Sequence, residues 1–102
     1  MAAKMHIKLI NRGEEGELLL EGRLDSTTAP EVEEIVLQMV DRFDKIILNM
    51  AQLEYISSAG LRVLLGAQKK MQKIGSMTLK NVCEEVMEVF EITGFADILV
   101  IE

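Results

Sequence analysis

The sequence has few of the residues from which catalytic or metal sites are built. There is one cysteine, Cys83, so no internal disulfide is possible. That usage fits a reducing compartment, and the expected location is cytoplasmic. One histidine, His6, with that one cysteine cannot supply a zinc site, and no metal or cofactor is expected. The chain has no Trp, one Tyr and three Phe, too few for a base-stacking platform. The longest uninterrupted apolar run is four residues, Ile98 to Ile101, so no transmembrane segment is expected. The N-terminus lacks a long apolar stretch, so no secretory leader is expected either. Eleven basic residues stand against 17 acidic ones, for a net charge of −6. A surface of that sign does not attract phosphate backbones, so no direct nucleic-acid partner is expected.

What is present suits an ordinary small core. With 102 residues, 49% of them apolar, the chain fits one domain spanning 1–102. Met5, Ile7 and Leu9 alternate with His6 and Lys8, which predicts a strand over 5–10. A turn with Gly13 and Gly16 follows, and Leu18 to Leu20 returns as the second arm of a hairpin. Residues 22–28 form a loop. Thr28 with Glu31 has the spacing of a capping box, and Pro30 is tolerated in a first helical turn. Val32, Ile35, Val36, Met39 and Val40 then recur at helical spacing, to about Arg42.

Ile46 to Leu48 is continuously apolar, as a strand buried on both faces would be. Residues 51–57 are read as its connection to a second helix, with Gly60, Val63, Leu64, Ala67 and Met71 inward and Gly75 as C-cap. A third buried strand spans 77–82. Asn81 is placed as the cap of a third helix, which ends at Gly94, and Ile98 to Ile101 is the last strand. The order is ββαβαβαβ. This is an α/β fold, a small mostly parallel sheet with an antiparallel N-terminal hairpin.

In open parallel sheets, ligands and partners meet the carboxyl ends of the strands. Two loops there carry chemistry. The first holds Asp25, Ser26, Thr27 and Thr28, and the second holds Ser57 and Ser58. One reading makes one serine a helix cap and the other filler. The other makes a serine a phosphoacceptor, since a helix N-terminus tolerates a phosphate and the added charge would disrupt a complementary partner. Neither loop contains a histidine to activate a nucleophilic serine, so no catalytic residue is assigned.

Leu24-Asp25, the strand Ile46 to Met50, the segment Tyr55-Ile56-Ser57-Ser58-Ala59-Gly60-Leu61-Arg62-Val63-Leu64-Leu65, and Ile92-Thr93-Gly94-Phe95 together resemble the STAS domain. More narrowly, they resemble the bacterial anti-sigma factor antagonists. The resemblance implies a non-enzymatic regulator. Its unphosphorylated form binds an anti-sigma factor that is also a serine kinase, releasing a sigma factor. Phosphorylation ends that complex and a serine phosphatase restores it. The family motif Asp-Ser-Ser/Thr-Gly-Leu places the acceptor at Ser58, with Ser57 as the alternative. Ser57 stands where the motif has aspartate, and Ala59 where it has the second hydroxyl. Asp25, Ser26, Thr27, Ser57, Ser58, Gly60 and Arg62 are the implied partner-binding residues. The expected oligomeric state is a monomer or weak dimer. The alternative function that the resemblance implies for this chain is a soluble STAS subunit docking on a membrane lipid or anion transporter complex.

Overall fold

A computed structural model describes residues 5–102. Residues 1–4, part of the stretch on which the absence of a leader was read, lie outside them. The elements run β1 (His6–Arg12), β2 (Glu15–Leu24), α1 (Ala29–Arg42), β3 (Lys45–Ile56), α2 (Ser58–Ile74), β4 (Ser76–Lys80) and α3 (Glu84–Thr93). A 3-10 turn, Phe95–Asp97, follows. The sheet order is β1-β2-β3-β4. The hairpin β1–β2 is antiparallel, and β2–β3 and β3–β4 are parallel. Both parallel crossovers step the same way across the sheet. Right-handed connections then place α1 and α2 on the same face.

The core lies under that face. Leu18 and Leu20 of β2, Ile46, Leu48 and Met50 of β3, and Met77 and Leu79 of β4 are buried. They join Val32, Val36 and Met39 of α1, Leu64 and Met71 of α2, and Val86 and Phe90 of α3 in one cluster. On the opposite face, Glu17, Leu19, Ile47, Asn49, Thr78 and Lys80 are only half-buried. The continuous apolar run 46–48 therefore belongs to a strand covered on one side, not two.

Several local readings change for physical reasons. β2 and β3 extend well past their apolar centres, to Leu24 and Ile56. Residues 22–24 and 51–56 are strand, not loop, because parallel pairing continues through two register shifts. Ile98 to Ile101 does not form a strand. A single parallel bridge joins Leu79 to Ile101. Thr28 makes no capping bond to α1, since its hydroxyl has partners elsewhere, described below. Asn81 does not cap α3. Cys83 holds that position, while Asn81 adopts φ 60° and donates from Nδ2 to Asn49 Oδ1 at 3.2 Å. No helix among the described residues is long and apolar enough to cross a membrane.

Candidate functional site

The carboxyl ends of β2 and β3 are register partners, Leu24 beside Ile56. The ladder runs one step further, as the Ser57 N–H donates to the Leu24 carbonyl at 2.9 Å. The two loops singled out in the sequence are therefore fastened to each other where they leave the sheet. Gly60, in the first turn of α2, closes the joint. A Cβ there would lie 2.7 Å from Leu24 Cγ, 2.8 Å from Ile56 Cγ1 and 3.0 Å from the Leu24 carbonyl oxygen. Gly60 is buried and sits beneath the surface. Its lack of a side chain lets α2 approach the strand ends.

The β2–α1 loop braces itself. One oxygen of the Asp25 carboxylate accepts from the Thr27 hydroxyl at 2.6 Å, from the Thr27 N–H at 2.9 Å and from the Thr28 N–H at 3.3 Å. These bonds, the Thr27 hydroxyl foremost, hold the Asp25 carboxyl below the usual aspartate range. The Thr28 side chain is buried. Its hydroxyl donates to the Arg23 carbonyl at 2.7 Å and accepts from the Asp25 N–H at 2.9 Å. Those two bonds explain why it is not available to cap α1. Ser26 and Thr27 are exposed at the loop tip.

A carboxyl held low by the native loop stabilises the fold above the unfolded aspartate pKa of about 3.9. That contribution is lost as pH falls through the lower native value. Asp25→Asn removes it. Urea midpoints measured from pH 6 down to pH 3 should therefore fall more steeply in the wild type than in Asp25→Asn below about pH 4. Parallel curves would count against this account of the loop.

The two serines are placed differently. Ser57 is the N-cap of α2, half-buried, with extended backbone (φ −100°, ψ 177°). Its hydroxyl oxygen accepts from the Gly60 N–H at 3.4 Å. Ser58 is the first helical residue and is exposed. Arg62, one turn further on, is also exposed. It lines a shallow groove between α1 and α2 with Ser26, Ala29, Glu33 and Ala59. Six of the seven sequence-derived site residues thus share one edge of the molecule, and Gly60 underlies it.

One pair at this edge was not visible in the sequence. Arg23 and Tyr55 are register partners, and the guanidinium carbon lies 4.1 Å from the ring centroid. Tyr55 is 39% exposed, so the pair presents a stacked cation and aromatic near the carboxyl ends of β2 and β3. Arg23 directly precedes Leu24-Asp25, and Tyr55 opens the segment that carries the serines, which are the sequence signals that could have found the pair. Cys83 sits behind the same edge, where its thiol donates to the Leu53 carbonyl at 3.4 Å. No cluster of three or more potential metal ligands occurs among the described residues.

Fold and edge together define a small α/β domain whose features converge on two hydroxyl-bearing loops and a helix start. Residues 9–102 match the STAS domain family, and the chain belongs to it. It is 38% identical over 81 residues to BtrV of Bordetella bronchiseptica, an anti-sigma factor antagonist by name, covering 78% of this chain and 70% of that one. It is 32% identical over 89 residues to the anti-sigma-B factor antagonist of Listeria monocytogenes, covering 84% and 77%. The solved structure of the anti-sigma factor antagonist SpoIIAA in its unphosphorylated form superposes with a TM-score of 0.81 at 21% identity, over 95% of this chain and 88% of that one.

Proposed function

We propose that this protein is an anti-sigma factor antagonist, switched by phosphorylation at Ser58. Its partner is an anti-sigma factor that is also a serine kinase. The unmodified protein docks on that kinase through Asp25, Ser26, Thr27, Ser57, Ser58 and Arg62, and the sigma factor is released. The kinase then passes the γ-phosphoryl group of ATP to Ser58 Oγ. ADP leaves, the hydroxyl proton is lost, and the complex ends. A serine phosphatase hydrolyses the phosphoester and restores the docking form. The protein acts in the cytoplasm, holds no cofactor and catalyses nothing itself.

The observation that carries this reading is the division of labour between the serines. Ser57 is engaged as the cap of α2, whereas Ser58 stands exposed at the first helical position. A phosphate on Ser58 would meet free backbone N–H groups and the positive end of the helix dipole, so the fold accommodates it. Family membership and the names of the relatives point the same way.

Incubation with the cognate kinase and ATP should add one phosphoryl group by intact mass, and peptide mapping should place it on Ser58. Modification of Ser57 alone, or no mass gain with an active kinase, would overturn the assignment.

A further inference from the structure

We propose that Arg62 clamps the phosphoryl group carried by Ser58, so that phosphorylation also withdraws this cation from the docking surface. The inference rests on Ser58 being the acceptor, and it adds a residue that reads the modification within the same chain.

The geometry follows from helix periodicity. Ser58 and Arg62 are four residues apart on α2, both exposed. Side chains at that spacing are neighbours on one face, with Cβ atoms roughly 5–6 Å apart. Every Cα–Cβ bond in a helix tilts toward the N-terminus, so a long side chain at Arg62 leans back over the turn that begins with Ser58. The order, anion first and cation four residues later, is the favourable one for such pairs. A guanidinium also matches a phosphate by two parallel N–H···O bonds, which an ammonium cannot do.

Arg62 is free to respond. The ion pairs among the described residues involve Arg12 and Lys80, and Arg62 is in none of them. Glu33 lines the same groove from α1, and Asp25 lies in the neighbouring loop, next to Ser26 of that groove. Asp25 is already engaged by Thr27 and Thr28. Ser57, the residue beside the acceptor, is neutral, so nothing adjacent in sequence repels the incoming phosphate.

The test needs no kinase. Phosphoserine is incorporated at position 58 during translation, and its second ionisation is followed by phosphorus NMR against pH. The free value is about 6. In the wild type the titration should lie below that in Arg62→Ala by about 0.3 pH unit, the size of one i,i+4 charge pair. Arg62→Gln keeps most of the aliphatic stem and should match Arg62→Ala. Arg62→Lys keeps the charge without the fork and should fall between. Glu33, Asp25 and the helix dipole are the same in all four proteins, so the difference reports Arg62 alone. Coincident titrations of wild type, Arg62→Ala and Arg62→Gln would overturn the clamp. That result leaves the kinase assignment untouched, just as failure of the mass experiment leaves this titration readable.

Discussion

Replacing Ser58 with aspartate is expected to weaken binding to the cognate anti-sigma kinase about a hundredfold, a loss of ~2.7 kcal/mol. Ser58→Ala should bind within about threefold of wild type, at which point the contact of a single rim hydroxyl is all that is lost. Calorimetric titration of the three proteins against the kinase decides the matter. The contrast isolates charge from fold. Ser58 is not the cap of α2, so alanine at this first helical position removes no capping bond. Aspartate in a first helical turn is favoured by the helix dipole, so the variant should be at least as stable as its parent. Lost binding in a protein of undiminished stability then comes from the new negative charge, directly at the interface or through the Arg62 cation it engages. Equal affinity of Ser58→Asp and Ser58→Ala would sink the switch. Ser57→Ala supplies the opposite control. It removes the cap and should cost ~1 kcal/mol of stability, while leaving the acceptor hydroxyl in place.

The second large effect concerns the other end of α2. Gly75→Ala is expected to destabilise the protein by about 3 kcal/mol, the upper part of the overpacking range. Its φ of −179° lies outside the left-handed region that favours glycine, so a positive φ is not the cause. The cause is contact. A Cβ on Gly75 would lie 1.9 Å from the Asp44 carbonyl oxygen and 2.9 Å from the carbonyl carbon. That same oxygen accepts from the Ser76 N–H at 3.0 Å, where β4 begins. Relief would require moving backbone that starts both β3 and β4. The urea midpoint should drop by roughly 1–3 M, given ordinary slopes for a small domain. Gly66→Ala makes the comparison sharp. Gly66 lies exposed within α2, with nothing within 4 Å of an added Cβ, so the same substitution should stabilise by ~1 kcal/mol. Opposite signs from one chemical change would show that packing against Asp44, not glycine's chain entropy, decides the result.

Much of the fold was readable from local pattern. Helix spacing in 32–43 and 60–74 located α1 and α2, and the stops at Gly75 and Gly94 were correct. Gly94 works as a left-handed C-cap at φ 82°, whereas Gly75 stops its helix by close approach. That difference depends on Asp44, thirty-one positions earlier, and no local pattern holds it. The extension of β3 through Ala51 to Ile56 was hidden for a related reason. Gln52, Glu54 and Tyr55 are exposed, and the segment stays in the sheet because β2 pairs with it through Glu21 to Leu24. Ile98 to Ile101 misled in the other direction. Four apolar residues suggested a strand, yet only Leu99 is buried, while Ile98 and Val100 remain 44% and 48% exposed. Hydropathy alone does not provide a neighbour to pair with.

The site divides similarly. The loops and both serines were legible as a motif. Which serine caps and which is exposed depended on the register of α2 against β2, fixed by the Leu24–Ser57 bond and the space at Gly60. Thr28 looked like a cap by its spacing from Glu31. Its hydroxyl instead bridges Arg23 and Asp25 across the loop.

The bond from the Ser57 N–H to the Leu24 carbonyl has a further consequence. Together with the Thr28 tether, it leaves little slack at the edge where the two loops meet. A hinge or lid stores information as movement, and a partner must then tell two shapes apart. Under the proposed switch, an edge fastened in this way would keep one backbone outline with and without the phosphate. The proposed signal would then be written in charge on a fixed backbone, need no refolding, and be erased by hydrolysing one ester bond.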